Sequence, residues 1–268
     1  MITSKANETV KRINSLKQKK YREEYKEYVV EGIKLCMELA NTSNDILYVV
    51  YCEEMLKNAN GGLKALEFVK NNVANIIEVS TDVFEYLADT VTPQGILTVM
   101  KMPNFGLEDI ARECKMGTKC IILDGVSDAG NMGTIIRTAI SFGYTNILCT
   151  KGTVDAYNSK VIRSTMGAIS KVKIYYLEDS YYEESINILK TNGYTIVGTR
   201  LQESTMLNDF TPDSKTVYVM GNEANGITDK TKLLCDKFVK IPMENIQESL
   251  NVAVAASILM YDEYSKNR

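Results

Sequence analysis

The sequence predicts an α/β protein built of two units. Apolar runs of strand length alternate along the whole chain with segments of helical periodicity, the pattern of strands joined by helices. The stretch "KMPNFGLEDIARECKMGTK" (101–119) interrupts that alternation with a proline, two glycines and mixed charge, and reads as a connector containing one short helix. At 268 residues the chain is long enough for two ordinary domains. The expected boundaries are 1–103 for a smaller α/β unit, 104–118 for the linker and 119–268 for a larger, parallel-sheet unit.

The elements follow in order. From Lys5 to Arg22 the basic residues Lys5, Lys11, Arg12, Lys17, Lys19, Lys20 and Arg22 face a single acid, Glu8. Two readings stand: a helix with a solvated basic face, or a patch that contacts a phosphate backbone, with Lys11, Arg12, Lys19 and Lys20 as the candidate contacts. Strands are expected near 27–30, 46–52, 76–79 and 95–102, with helices around 31–40, 62–70 and 81–88 between them. Thr81 is placed to cap the last helix, because its hydroxyl can accept a free amide of the first turn. In the second unit the strands fall near 120–125, 146–150, 173–176, 195–199, 216–220 and 238–241. Helices fall near 132–141, 159–169, 181–191, 229–235 and 250–263. In the last, Leu250, Val254, Ile258 and Tyr261 share one face. Ala253, Ala255 and Ala256 permit close packing, so this helix is either core or a subunit interface.

Composition narrows the chemistry. The chain has no histidine, which removes Ser-His-Asp and Cys-His catalysis and every His-ligated metal site. Its six cysteines form no C-x-x-C pair and read as buried thiols; no metal site is expected. The net charge of −3 makes the whole chain no general polyanion binder. The first residues are polar and no run is long enough to span a membrane, so a cytoplasmic location is expected.

Three strand ends in the second unit carry unusual polar loops, and ligands of open α/β sheets collect at such ends. The first, "DGVSDAGNMGTIIRTA" (124–139), narrowly misses the phosphate loops. Gly125 and Gly130 have the P-loop separation, but Asn131 and Met132 replace the required Lys and Ser/Thr. Gly130 and Gly133 match the end of a dinucleotide loop, but Asp128 occupies its first glycine. NAD- or ATP-binding is therefore disfavoured. The second corner is "VYVMGNEANGIT" (217–228), and the third is "VKIPMENIQESLNVAVAAS" (239–257), broken by Pro242.

Together the corners present Asn131, Gly133, Arg137 and Ala139; then Gly221, Glu223 and Gly226; then Ile241, Pro242, Met243, Ser249, Leu250, Asn251, Val252 and Ala255. This ordered set resembles the SpoU/TrmH family of RNA ribose 2′-O-methyltransferases, of the knotted SPOUT class, over 119–268. "YVVEGIKLCMEL" and "TPQGILTVMK" carry a looser resemblance to that family's N-terminal substrate-binding domain, a ribosomal-protein-like α/β module. One departure is Ala129-Gly130, where many relatives have a proline.

The resemblance implies a trefoil-knotted methyltransferase unit and S-adenosylmethionine as cofactor, held by Thr199, Gly221, Ile241, Met243 and Leu250. The same apolar side chains can also pack in the core while their main chains bind. It implies catalytic roles for Arg137, Asn131, Glu223, Ser249 and Asn251. The family's usual account makes Arg137 the general base, whereas a guanidinium is always protonated and suits a phosphate clamp; both readings stay open. Glu223 either orients Arg137, takes the proton or caps the following turn. Asn251 either bonds local backbone or touches ligand. Arg163 and Ser164, in "NSKVIRSTMGAISKV" (158–172), resemble a segment near the family's active site and are candidate RNA contacts. The expected partners are RNA, with ribosomal RNA favoured over transfer RNA because of the N-terminal module, and a second copy of the chain in a homodimer. A transfer-RNA methyltransferase and a non-catalytic RNA-binding module are the alternatives.

Overall fold

The computed structural model describes residues 1–42, 45–200, 202–244 and 249–267. It divides into two compact units, Met1–Pro103 with Tyr157–Ser170, and Asn104–Ala156 with Lys171–Arg268.

The basic N-terminal stretch folds as α1 (Glu8–Ser15) and α2 (Lys19–Tyr25). Asn7 caps α1 by accepting the amides of Thr9 at 2.9 Å and Val10 at 3.4 Å. The buried guanidinium of Arg22 closes the other end, donating to the carbonyls of Leu16 and Lys17 at 2.7 and 3.0 Å. There follow β1 (Glu27–Glu31), α3 (Ile33–Thr42), β2 (Ile46–Tyr51), α4 (Glu53–Asn58), α5 (Gly62–Asn72), β3 (Ile76–Glu78), α6 (Thr81–Leu87) and β4 (Ile96–Lys101). The sheet runs β1-β4-β2-β3, antiparallel except for β2 with β3. Helices cover it on both sides. Val10 and Ile13 of α1 and Leu16 just past its end join Val83, Phe84 and Leu87 of α6 in one core. Ile33 and Cys36 of α3 join Ala65, Leu66 and Val69 of α5 in the other. Thr81 does not cap α6: Ser80 is the cap residue, and the Thr81 hydroxyl instead donates to Glu54 at 2.9 Å. The helix begins one residue earlier than the pattern suggested, so Thr81 is its first helical residue and lies past the cap position.

The second unit begins with α7 (Leu107–Met116), inside the expected linker, and continues with β5 (Lys119–Asp124), α8 (Ala129–Ser141) and β6 (Tyr144–Cys149). The chain then passes through α9 (Ser159–Thr165), which belongs to the first unit. There the Tyr157 ring lies 4.8 Å from that of Tyr28. The helix expected to run to 169 stops at Thr165, because Met166 and Gly167 adopt φ of 51° and 93°. Then come β7 (Lys173–Tyr176), α10 (Asp179–Thr191), β8 (Thr195–Thr199), the two-residue β9 (Thr205–Met206), β10 (Thr216–Gly221), α11 (Asp229–Leu234), β11 (Lys237–Lys240) and α12 (Val252–Lys266).

All seven strands of this sheet are parallel, in the order β7-β6-β5-β10-β8-β11-β9. Every residue of β10 is buried, as a strand covered on both faces requires. Ile110 and Cys114 of α7 and Ile186 and Leu189 of α10 share a core with Ile122, Val217 and Val219. Helices α8 and α12 pack on each other and on β6 and β10. The chain winds from β5 outward to β7, then returns to lay β8 and β10 on the other side of β5. A crevice opens at such a reversal, outside the carboxyl ends of the strands. The trefoil knot expected of this unit turns on the loop between β11 and α12, whose residues 245–248 lie outside the described residues.

The alanines of α12 are used within the chain: Ala253 and Ala256 are buried with Val252, Leu259 and Met260. Val254 and Tyr261 face outward at 47% and 58% exposure, while Leu250, expected to open this helix, precedes it, because Asn251 is the cap residue. Among the described residues, no helix is long and apolar enough to cross a membrane.

Candidate active site

The three polar corners converge at the carboxyl ends of β5, β10 and β11. Strand β5 ends at Asp124, a carboxylate only 2% exposed. It accepts the Thr150 hydroxyl at 2.8 Å and the Thr228 amide at 2.7 Å, so it ties the ends of β5, β6 and the loop after β10. Gly125 then turns the chain with φ of 79°. Asp128 caps α8 by accepting the Asn131 amide at 2.8 Å.

The second corner is a tight loop. Asn222 and Gly226 exchange two backbone hydrogen bonds of 2.9 Å. The Asn222 side chain accepts the amides of Ala224 and Asn225 at 3.0 and 3.2 Å. Its amide nitrogen donates to the Gly125 carbonyl at 2.9 Å, binding this corner to the first. A Cβ on Gly221 would lie 2.2 Å from the Gly226 carbonyl carbon, so only glycine fits beneath the loop. Neither Asp124 nor Asn222 stood out in the sequence. The available signals were a charged residue ending the apolar run "CIILD" and an asparagine between two motif positions.

Glu223 joins the second corner to the first, and Asn131 carries the link to the third. Its carboxylate accepts the Asn131 side-chain amide at 2.9 Å, the Ser127 amide and hydroxyl at 3.2 and 3.1 Å, and the Asp128 amide at 3.2 Å. Asn131 in turn accepts the Asn251 side-chain amide at 2.9 Å. Asn251 caps α12, accepting the amides of Ala253 and Val254 at 2.9 and 3.3 Å. The direction of this relay is forced. Backbone amides only donate, so the Asn251 oxygen faces them; its nitrogen therefore meets the Asn131 oxygen, and the Asn131 nitrogen meets an acceptor-only carboxylate. Burial alone would raise the Glu223 carboxyl. The hydrogen bonds from Asn131 and the surrounding backbone amides outweigh burial and pull it from 4.5 down to about 2. Glu223 is thus an ionised brace, and a weak proton acceptor.

Beside the relay lies a cavity of about 740 Å³. Thr199, Gly221, Ile241, Met243 and Leu250 all line it, as do Glu223, Ser249 and Asn251. Its volume suits a nucleoside-sized ligand, and its wall mixes apolar side chains with the interrupted backbone at the strand ends. Strand β11 stops at Lys240, and Pro242 has no amide with which to extend the ladder. Arg200, also on the wall, has its guanidinium 3.7 Å from the centre of the Phe238 ring. It donates to the Glu203 carbonyl and carboxylate at 3.0 and 3.2 Å, while its Nε is buried with no protein partner. Cavity size, interrupted backbone and this orphaned donor all fit a polar nucleoside derivative such as S-adenosylmethionine.

Arg137 and Asn131 do not line the cavity. Arg137 sits roughly two turns into α8, on its exposed side, with no hydrogen bond or ion pair for its guanidinium among the described residues. Glu223 therefore does not orient it in this chain.

The candidate RNA contacts lie in the first unit. Arg12 is committed to the buried Glu27, with its Nε and Nη2 at 3.1 and 2.6 Å from the carboxylate. Lys11 and Lys19 make exposed one-turn pairs with Glu8 and Glu23 at 3.4 and 3.5 Å, which tie up little of either charge. The Lys20 ammonium lies 5.4 Å from the centre of the Tyr21 ring. Arg163 pairs with Asp89 at 3.1 Å, and Ser164 donates to the Lys160 carbonyl one turn back at 2.9 Å.

Comparison with known proteins places this geometry in a family. Residues 118–261 match the SpoU rRNA Methylase family, and residues 7–98 match the MRM3-like substrate binding domain. The 23S rRNA (guanosine(2553)-2′-O)-methyltransferase RlmP of Bacillus subtilis (strain 168) is 30% identical over 265 residues, 97% of each chain. A putative TrmH family tRNA/rRNA methyltransferase of Staphylococcus haemolyticus is 34% identical over 146 residues, 54% of this chain and 58% of that one. The crystal structure of an AdoMet-bound rRNA methyltransferase from Sinorhizobium meliloti superposes with a TM-score of 0.84 at 27% identity, covering 98% of this chain and 97% of that one. With the ordered corner motifs, the braced cavity and a relative matching along nearly its whole length, the chain belongs to the SpoU rRNA methylase family.

Proposed function

We propose that the protein transfers a methyl group from S-adenosylmethionine to a ribose 2′-hydroxyl of ribosomal RNA. The observation that carries this reading is the cavity at the ends of β8, β10 and β11, joined through Glu223, Asn131 and Asn251 to α8, the helix that bears Arg137. The Bacillus subtilis relative is named for the same chemistry on 23S rRNA, and the matched substrate binding domain favours a large folded RNA over transfer RNA.

The cofactor supplies an electrophilic methyl group. The chain's task is to hold the acceptor hydroxyl in line with it and to stabilise the charge that develops on oxygen. Thr199, Gly221, Ile241, Met243 and Leu250 bind the cofactor. Ser249 and Asn251, at the cavity rim, position the ribose-phosphate. Glu223 keeps Asn131 and the start of α8 in place and does not serve as the base. Arg137 acts on the acceptor side, its planar fork gripping phosphate and its charge favouring the alkoxide.

Arg137 is exposed and does not line this chain's cavity, and α12 leaves Val254 and Tyr261 exposed, the latter beside Phe142 at the end of α8. Both features support a homodimer in which Arg137 of the partner subunit completes the site.

Two measurements test the proposal. Calorimetry should show binding of adenosylmethionine and of neither NAD nor ATP. Ribose-methylation mapping of total RNA from cells with and without the gene should reveal one site in ribosomal RNA that loses its methyl group. Unchanged maps would leave a non-catalytic RNA-binding module; a lost site in transfer RNA would move the substrate.

A further inference from the structure

Helix α2 carries two tyrosines one turn apart, Tyr21 and Tyr25, on a short segment otherwise made of charged residues. Their rings stack, with centres 5.9 Å apart and planes 24° apart. Tyr25 is anchored: it packs against the core formed by α1, α6 and the sheet, and the Arg12 guanidinium lies 4.5 Å from its ring centre. Arg12 is itself clamped by Glu27, so its charge is largely neutralised and its plane is fixed. Tyr21 rests on this support, half-exposed, with the Lys20 ammonium 5.4 Å from its ring centre. Lys19 and Lys26 are exposed nearby; of the acids on the helix, Glu23 is paired with Lys19 and Glu24 is exposed.

Solubility alone does not call for this arrangement, since charged side chains would cover the helix as well. An immobilised ring bordered by ammonium groups matches a base attached to a phosphate. The ring offers a π-face to any base, and the cations attract the backbone. We propose that Tyr21, supported by Tyr25 and Arg12, is a stacking platform for an unpaired nucleobase of the RNA substrate. This rests on the reading of the chain as an RNA-modifying enzyme, but adds a contact to bases where the lysines contact only phosphates.

The full-length protein tests this with two probes, a short unstructured oligouridylate and an abasic strand of equal length and charge. Tyr21→Leu should weaken oligouridylate binding about tenfold or more and leave abasic binding unchanged, while Tyr21→Phe, which keeps the ring, should behave as wild type. The chain contains no tryptophan, so Tyr21→Trp installs a single reporter whose fluorescence should be quenched by oligouridylate and not by the abasic strand. Circular dichroism melting of each variant checks the fold. Wild-type affinity of Tyr21→Leu for oligouridylate, or equal quenching of Tyr21→Trp by both strands, would overturn the platform. Adenosylmethionine calorimetry on the same samples separates the two readings: a failed platform with intact cofactor binding leaves the methyltransferase standing, and absent cofactor binding removes it.

Discussion

The chemistry of Arg137 is set by what surrounds it. It is exposed on α8, and nothing among the described residues neutralises it. Arg137→Ala should leave adenosylmethionine affinity nearly intact while single-turnover methylation falls by orders of magnitude; loss of cofactor binding at unchanged fold would mean that Arg137 serves the cofactor instead. Arg137→Lys separates clamp from base. A clamp loses its fork but keeps its charge, so activity should drop strongly without vanishing. A base would be partly replaced by lysine, with its lower reference pKa of ~10.4, and the pH-rate profile would shift. Glu223 makes an opposite demand: it must stay ionised. Its folded value of about 2 lies below the ordinary 4.5, so it stabilises the fold fully above about pH 4.5, and that stabilisation is lost as the pH falls toward 2. Glu223→Gln sets a donor against the donors of Asn131, Ser127 and Asp128. It should lower the melting temperature at pH 7 and flatten the acid limb of a melting-temperature-versus-pH curve. An acid limb identical to wild type would show that Glu223 does not brace the corners.

Two elements carry the site's architecture. The loop after β10 closes over Gly221 so tightly that a methyl group would meet the backbone of Gly226 and Ile227 at 2.2 and 2.3 Å. Gly221→Ala should therefore cost about 1–3 kcal/mol of stability and, by opening the loop, abolish cofactor binding in calorimetry. Full cofactor affinity in a stable variant would refute the tight-loop account. Helix α12 presents two faces, as its sequence allowed, but the alanine face packs internally while Val254 and Tyr261 look outward. Val254→Glu should convert a dimer into a well-folded monomer by light scattering, with methylation lost and cofactor binding weakened less. A fully active monomer at micromolar concentration would remove the dimer from the mechanism. The sequence left this choice open because either stripe is apolar enough to bury. What decided it was α8, whose buried Met132, Ile135, Ile136 and Ala139 form the apolar face of the helix α12 packs on.

At the scale of the whole molecule, charge is distributed unevenly. The net charge is −3, yet α1, α2 and their flanks are basic. Replacing Lys11, Lys19 and Lys20 together by Ala should weaken RNA binding and reduce the slope of log affinity against log salt by up to about 2–3; an unchanged slope would count against the patch. Arg12 is left out of this set because removing it would strand the buried Glu27 carboxylate. The two-unit α/β plan, most strand positions and the three corner motifs were legible in the sequence, because periodicity, glycine turns and motif spacing are local properties. The family resemblance also marked Asn131, Glu223 and Asn251 as candidates. Local pattern could not show that Glu223 reaches back 92 residues to Asn131, that Arg12 is held by Glu27, or that α9 leaves its neighbours in sequence to join the first unit. Tertiary packing decided those points: a carboxylate, a guanidinium or an apolar helix face takes the partner that folding brings within reach, and many acceptors along the chain offer the same chemistry.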